Sequence, residues 1–204
     1  MKRSYFLKTD RIGFSKWCDE DLPLAKLLWG DPKVTRYICA SGSFSQSDIE
    51  NRLQHELENE KLFGIQYWPI FALTSGELIG CCGLRPRGEK QYELGFHLRP
   101  QFWGQGIAVE AAKAVVVYAF DVLQAESLFA GHNPHNVNSA KVLFEYLTVG
   151  THFIKVLFTY DETFDNVGTF SKTFTVTVNP WVPVIVQTAT KITSSKLTTP
   201  YNVA

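Results

Sequence analysis

A short glycine-containing segment between a predicted strand and a predicted helix constrains this chain most. Residues 92–98 have the pattern of a strand, residues 101–106 include Gly104 and Gly106, and a helical pattern runs from residue 107 to about residue 123. Glycine lets the backbone approach a ligand closely, and the first turn of a helix has N–H groups without internal partners. The segment therefore predicts a place that holds phosphate. A dinucleotide-binding fold would need three glycines and an acidic residue about 20 positions later, whereas this segment has two glycines.

Three motifs resemble those of the GNAT family of N-acetyltransferases. Gln101-Phe102-Trp103-Gly104-Gln105-Gly106 matches the family's acetyl-CoA pyrophosphate loop, Gln/Arg-x-x-Gly-x-Gly/Ala, at every defined position. Tyr92-Glu93-Leu94-Gly95 before the loop, and Asn133-Pro134-His135-Asn136-Val137-Asn138-Ser139 after it, are similar to the branch that acetylates ribosomal-protein N-termini. The resemblance covers roughly residues 10–145. It implies an α/β protein with the GNAT acyl-CoA N-acyltransferase fold, a mixed and mostly antiparallel sheet flanked by helices.

Hydrophobic periodicity and turn residues predict the order of the elements. We expect strands at residues 8–14, 67–74, 77–84, 91–98 and 127–131, and helices that begin near residues 22, 46, 106 and 137. The strands at 67–74 and 77–84 are expected to form a hairpin around Ser75-Gly76.

The C-terminal quarter departs from the family pattern after Leu147. Residues 151–160 and 169–178 alternate in a Thr-, Val- and Phe-rich manner that favours strands, and they resemble the last hairpin of immunoglobulin-like repeats. Either this segment closes the family's sheet in an unusual sequence, or it is foreign to the domain. Because a single hairpin is marginal alone, we favour the first alternative. We therefore predict a domain at residues 1–178, with 149–178 as an atypical closing β-hairpin, and a Thr- and Pro-rich tail at 179–204.

The resemblance implies which residues hold the coenzyme. The pyrophosphate is expected on the backbone of the loop, and the pantetheine arm is expected to pair with exposed backbone groups of the preceding strand. Asn136 would contact the coenzyme arm, although an asparagine at a helix start is also an ordinary cap. The predicted coenzyme-binding residues are Phe96, Leu98, Gln101, Trp103, Gly104, Gln105, Gly106, Ile107 and Asn136. Gly95 is compatible with a β-bulge or with a plain strand position.

Two side chains are predicted to move protons. Glu93 would act as general base on the attacking amine, directly or through a water, unless it is only a solvated charge at a strand start. His97 shares its face and is the second candidate, with a hydrogen-bonded or solvent-facing histidine as the simpler interpretation. Ser139 would donate a hydrogen bond to the leaving sulfur, unless it only caps a helix. Four aromatic residues could line the acceptor groove, although core packing is their default: Trp17, Tyr37, Phe63 and Trp68.

Composition narrows the partners. The 204 residues carry 20 Lys plus Arg and 20 Asp plus Glu, so the formal net charge is zero and nucleic-acid binding has little electrostatic support. The longest apolar run, residues 114–120, is far shorter than a bilayer span, so no membrane partner is expected. The four cysteines include no Cys-x-x-Cys pair, so no metal is expected. Cys81 and Cys82 are adjacent in a predicted strand, where they point to opposite faces, and are interpreted as buried reduced thiols of a cytoplasmic protein. A homodimer stays open.

The predicted function is transfer of an acetyl group from acetyl-CoA, as a cosubstrate, to a primary amine of a protein N-terminus or a small molecule. The resemblance implies direct transfer in a ternary complex, and the cysteines agree with it, because none of them lies in a nucleophile context. The alternative is an inactive fusion, or a binding or adhesion module with a β-rich, immunoglobulin-like C-terminal segment.

Overall fold

A computed structural model of the chain describes residues 3–133, 135–146, 153–160 and 170–177, with side chains described for 3–133 and 135–143. The strands are β1 (Leu7–Lys8), β2 (Ile12–Phe14), β3 (Tyr67–Ala72), β4 (Leu78–Gly88), β5 (Gln91–Leu98), β6 (Ser127–Ala130), β7 (Phe153–Tyr160) and β8 (Phe170–Thr177). The helices are α1 (Leu22–Trp29), α2 (Pro32–Thr35), α3 (Gln46–Phe63), α4 (Ile107–Val117) and α5 (Val137–Tyr146).

The strands form one mixed sheet in chain order. Neighbours from β1 to β5 are antiparallel, and β5 pairs with β6 in parallel, so the predicted mixed and mostly antiparallel sheet is confirmed. The backbone of β7 continues the order beside β6 and pairs antiparallel with β8. The segments 161–169 and 178–204, which include the predicted tail, lie outside the described residues. The predicted domain boundaries at 149, 178 and 179 therefore stay predictions.

Helices cover the two faces of the sheet and divide the core. Side chains of β3 and β4 alternate between the faces, so adjacent Cys81 and Cys82 enter different clusters, as predicted. Cys81 packs under α1 and α3, whereas Cys82 packs under α4. The face of any residue on β5 follows from its partner on β4: His97 lies opposite Cys81, and Phe96 lies opposite Cys82. Hence Glu93, Gly95 and His97 face α1–α3, while Phe96 and Leu98 face α4.

Capping residues, glycine and proline mark where α2 and α3 begin or end. Ser45 and Asp48 form the capping box that starts α3, with Ser45 Oγ accepting from the Asp48 N–H at 3.2 Å and Asp48 Oδ2 accepting from the Ser45 N–H at 2.8 Å. Gly64 ends α3 with φ +69°. Pro32 begins the short helix α2, which sequence patterning missed because four residues show no periodicity.

Two predicted elements are wrong in detail. The single strand expected at residues 8–14 is a tight hairpin of β1 and β2, because the chain turns at residues 9–11, where Thr9 N–H donates to the Ile12 carbonyl. The helix expected from 106 to 123 is regular only to Val117, and a π-helical turn at Tyr118–Val122 completes it. Apolar periodicity cannot distinguish these two kinds of turn.

Candidate functional site

The loop before α4 presents its backbone to solvent. Gly104 and Gly106 both have φ +73°, in the left-handed region that favours glycine, and a Cβ on Gly104 would meet no atom within 4 Å. Gly106 is the N-cap of α4 and no side chain caps this end. The N–H groups of the first turn, beginning at Ile107, therefore have no partner inside the helix. The geometry suits an anion at this end of the helix.

An ion pair that sequence reasoning missed fastens this loop to the N-terminal hairpin. Arg11 Nε donates to Glu110 Oε2 at 2.6 Å, and Arg11 Nη1 donates to the Gln105 carbonyl at 2.9 Å. Thr9 Oγ1 also donates to Glu110 Oε1, at 2.5 Å. Burial opposes ionisation of Glu110, but the hydrogen bonds from Thr9 and Arg11 outweigh it and hold the pKa of Glu110 below its usual range. No local pattern signals contacts 99 residues apart in the chain.

The two glutamines of the loop have structural contacts of their own. Gln101 Nε2 donates to Glu77 Oε1 at 3.3 Å, and Gln105 Nε2 donates to the Gln101 carbonyl at 2.7 Å. Neither residue is among the described residues that line the cleft, whereas Trp103, Gly104, Gly106 and Ile107 are. The part of Gln101 and Gln105 in coenzyme binding therefore stays a prediction.

Half of β5 has an open edge. β6 pairs with β5 only from Gln91 to Leu94, so the strands separate beyond that point. Arg99 N–H donates to the Ile79 carbonyl on β4, and hydrogen bonds alternate along an antiparallel pair, so the backbone groups of Phe96 and Leu98 face away from β4. The Leu98 carbonyl accepts from Trp103 Nε1 at 2.7 Å. This contact leaves the Leu98 N–H and both backbone groups of Phe96 directed at the gap.

Glu93 lies on the other face of the same strand, toward α1–α3. Its side chain is 30% exposed and forms an ion pair with Arg87, with 2.7 Å between Oε2 and Nε. The phenol ring of Tyr67 occupies the space above Gly95, two residues further along β5. The ladder is regular there, with Gly95 opposite Gly83, so a bulge at Gly95 is wrong; the register shift of this strand pair lies between Pro86 and Gly88. Gly95 instead makes room for an aromatic ring.

His97 is held as a neutral acceptor. Trp29 Nε1 donates to His97 Nδ1 at 3.2 Å, so the ring proton of the neutral imidazole lies on Nε2. Burial first, and then the positive charges of Arg52 and Arg85, hold the pKa of His97 well below its usual value. A ring with these contacts is a poor proton acceptor, which favours the simpler interpretation, a hydrogen-bonded histidine.

Asn136 and Ser139 begin α5 beside the gap. Asn136 Oδ1 accepts from the Ser139 N–H at 3.1 Å, so Asn136 caps the helix as the simpler interpretation predicted. The cap uses the backbone of Ser139 and leaves its hydroxyl out of that bond. Both residues are half-buried and both line the cleft.

These features meet in one cleft of about 810 Å³. It contains the residues at the start of α4, the open half of β5, Glu93, and the beginning of α5. Of the four aromatic candidates for the groove, Tyr37 lines the cleft, Trp17 and Trp68 are buried in the core, and Phe63 is an exposed residue outside the lining. Among the described lining residues, five are formally cationic and one is a carboxylate: Lys33, Arg52, Arg85, Arg87 and Lys141, and Glu93.

One cysteine lies beside a histidine in the described part of the chain: Cys81 Sγ is 3.6 Å from His97 Nδ1. Burial raises the pKa of Cys81 to about 12, so that thiol stays protonated and is a poor nucleophile. Cys81 and Cys82 are both buried, as predicted, whereas Cys18 is exposed and Cys39 is half-buried. Within residues 3–133 and 135–143, no group of three or more metal-ligating side chains converges. None of the described helices has the length and hydrophobicity required to cross a bilayer.

Comparison with known proteins identifies a matching family and a relative of similar sequence. The acetyltransferase (GNAT) domain profile matches residues 11–145. The uncharacterised protein YkkB of Bacillus subtilis is 31% identical over 155 residues, which cover 74% of this chain and 87% of that protein.

Solved structures share the fold. The spermidine N-acetyltransferase of Vibrio cholerae, in complex with CoA and spermine, aligns over 83% of this chain and 97% of its own with a TM-score of 0.61 and 13% identity. The ribosomal L7/L12 α-N-protein acetyltransferase RimL, in an apo crystal form, aligns over 83% of this chain and 92% of its own with a TM-score of 0.61 and 13% identity. At this level of identity the likeness shows the fold alone.

Proposed function

The chain belongs to the acetyltransferase (GNAT) domain family, and from that membership we propose that it transfers the acetyl group of acetyl-CoA to a primary amine. One observation carries the proposal: the uncapped N-terminus of α4 and the open edge of β5 line the same cleft. The first suits a pyrophosphate and the second suits an extended amide-containing arm. A neighbour in the fold was solved with CoA.

Four groups would bind and orient acetyl-CoA, which supplies the acetyl thioester. The N–H groups after Gly106 would hold the pyrophosphate, with Gly104 and Gly106 allowing close approach. The backbone of Phe96 and the Leu98 N–H would pair with the arm, and a free N–H there can polarise the thioester carbonyl. Trp103 and Asn136 would contact the coenzyme beside the loop. Gln101 and Gln105 would contribute through the backbone, because their side chains contact Glu77 and the loop itself.

Two side chains would move protons. Glu93 would accept a proton from the acceptor amine, whose nitrogen then bonds to the acetyl carbon as the carbon–sulfur bond breaks. The electron pair of that bond leaves with the sulfur, and the Ser139 hydroxyl would donate a hydrogen bond to it. No covalent bond between the acetyl group and the chain is needed, in keeping with a protonated Cys81.

The acceptor is a primary amine of a protein N-terminus or of a small molecule. One neighbour in the fold acts on spermidine and another on the α-amine of a ribosomal protein. Cytoplasmic location and self-association into a homodimer remain predictions.

Coenzyme-dependent stabilisation, followed by turnover, tests the proposal. A chain that binds acetyl-CoA should gain about 2.7 kcal/mol of folding stability at a ligand concentration of 100 Kd, and it should release free CoA thiol when a primary amine is added. Acetyl-CoA that neither raises the melting temperature nor binds in calorimetric titration would overturn the proposal and favour a binding module.

A further inference from the structure

Two arginines share one buried carboxylate at the amine end of the cleft. Glu56 Oε1 accepts from Arg52 Nε at 2.8 Å and from Arg85 Nη2 at 2.9 Å, while Glu56 Oε2 accepts from the Tyr67 N–H at 2.7 Å. Arg52 and Glu56 are four residues apart on α3, whereas Arg85 comes from β4. We call Arg52, Glu56 and Arg85 the arginine pair site.

The arginine pair site has more positive charge than it neutralises. One carboxylate serves two guanidinium groups, and the side chain of Arg52 is only 11% exposed. Arg52 Nη2 and Arg85 Nε are buried N–H groups without a hydrogen-bond acceptor. Glu56 balances only one of the two guanidinium charges, and a buried charge that is not balanced is costly. Because the two N–H groups are enclosed, an anion in the cleft would contact the exposed part of Arg85, whose side chain is 31% exposed. Both arginines line the cleft.

The groups around the site add positive charge. Lys33 and Arg87 also line the cleft, and Arg52 and Arg85 lie over the ring of Tyr67, with centroid distances of 5.3 and 4.5 Å. The imidazole of His97 is neutral, as its contact with Trp29 shows. The facing carboxylates are Glu56 and Glu93, and Glu93 is already paired with Arg87. A second positive charge would therefore be repelled here, and an anion would be attracted.

The register of the sheet places the surplus positive charge of the arginine pair site beside Glu93, the proposed base. Arg85 and Glu93 are direct cross-strand partners on β4 and β5, and their side chains project from the same face. Directly opposite side chains of an antiparallel pair lie about 5 Å apart at Cβ. An amine that meets Glu93 thus carries its neighbouring substituents toward Arg85. The open edge of β5, where the coenzyme arm would lie, is on the other side of the strand.

Resting on the proposed acetyl transfer, we infer that the acceptor is an amine with a carboxylate close to its nitrogen, which the arginine pair site binds. The amine lies at Glu93 and the carboxylate at Arg85. A polyamine, such as the substrate named for the neighbour solved with spermine, lacks the anion and adds positive charge.

Matched acceptors test the inference. An α-amino acid, its carboxamide and spermidine are compared as acceptors by the release of CoA thiol. We expect kcat/KM for the carboxylate acceptor to exceed that for its carboxamide by roughly tenfold to a hundredfold, the range of a charge-assisted hydrogen bond. Equal values, or a preference for spermidine, would overturn the inference.

A charge-removing variant tests the residue. Arg85→Gln leaves Arg52 and Glu56 as a balanced pair, so the fold should persist. In this variant, kcat/KM for the carboxylate acceptor should fall to about the value for its carboxamide. Arg99→Gln is the matched control, because Arg99 is also paired to a glutamate, Glu77, but is not among the described residues that line the cleft. The Arg99→Gln variant should keep the preference of the unmodified chain for the carboxylate acceptor over its carboxamide. A preference that survives Arg85→Gln with intact coenzyme affinity would contradict the assignment.

A third measurement needs no variant and separates the two proposals. A carboxylic acid that lacks the amine should inhibit the unmodified chain competitively against the acceptor, and its carboxamide should not. If the carboxylic acid does not inhibit a chain that binds acetyl-CoA and acetylates amines, only the carboxylate site is refuted and the proposed function stands. A chain that binds no acetyl-CoA refutes the proposed function as well.

Discussion

The phenol ring of Tyr67 lies over the α-carbon of Gly95. A Cβ at Gly95 would be 2.2 Å from both Cζ and Oη of Tyr67, far inside van der Waals contact. Tyr67 is itself held by stacked arginines and by the contact of its N–H with Glu56, so the ring cannot easily move. A glycine between Glu93 and His97 therefore sets how close the aromatic ring comes to the strand that carries the proposed base.

Gly95→Ala should disturb the cleft more than its size suggests. We expect a loss of about 1 to 3 kcal/mol in the free energy of unfolding, as for other overpacked sites, together with a fall in turnover. Gly88→Ala is the control, because the nearest atom to its Cβ would be Oε1 of the flexible Gln91 side chain, at an ordinary contact distance of 3.4 Å. Chemical denaturation of both variants measures the difference, and equal stability would mean that Tyr67 yields.

Gly104→Asp should abolish binding of acetyl-CoA while the fold persists. The aspartate could weaken binding by its charge or by straining the left-handed backbone. Gly104→Asn separates these two effects, because asparagine has a similar size, tolerates φ +73°, and carries no charge. Titration calorimetry should show a much weaker affinity for the aspartate variant than for the asparagine variant. Equal affinities would place the pyrophosphate elsewhere. Gly106→Asp should weaken the binding of acetyl-CoA as Gly104→Asp does.

Glu93→Gln should lower kcat while it leaves the affinity for acetyl-CoA nearly unchanged, because the carboxylate acts on the amine proton and not on the coenzyme. Ser139→Ala should have the same signature with a smaller effect. A pH–rate profile of each variant is the measurement, with Glu89→Gln, an exposed glutamate in the β4–β5 turn, as control. A fully active Glu93→Gln enzyme would refute the assignment of the base.

The stability of the fold toward acid should depend on the ionisation of Glu110. Because the pKa of Glu110 in the folded chain lies below its unfolded value, its contribution to stability is present above the unfolded pKa and is lost as the pH falls through the folded pKa. Glu110→Gln should remove that part of the acid sensitivity and loosen the loop at Gln105. Thermal unfolding of both chains between about pH 6 and about pH 2.5, the range that spans the unfolded and the lowered pKa, tests this expectation. Identical pH dependence would contradict it.

His97 should stay neutral under conditions in which an ordinary histidine is half protonated. As the pH falls below about 6.5, the unfolded chain takes up the proton before the folded chain does, so His97 makes the fold less stable toward acid. An NMR titration of the imidazole should show no protonation at pH 6.5. In His97→Gln, the pH–rate profile should keep its shape, and a lost limb would instead identify His97 as the base.

Local sequence was sufficient for the elements whose signals are local. The span Gln91–Leu98 was predicted at its observed bounds, and the start of α3 follows from Ser45 and Asp48, because capping and alternation involve neighbours in the chain. The loop at Gly104 and Gly106 was found for the same reason, since the left-handed backbone and the uncapped helix start depend on the residues of the loop alone. The π-helical turn after Val117 has no such signature.

The side-chain chemistry of the cleft was decided by the tertiary structure. Arg52 and Glu56 are a visible pair at i and i+4, but nothing in the chain brings Arg85 to the same carboxylate, and that third residue creates the surplus charge. Likewise, Gly95 has no side chain to show that it lies under Tyr67, and Arg11 meets Glu110 only once β2 packs beside the start of α4. Sequence patterns specify which residues share a face; charge balance, protonation and free space depend on which faces meet.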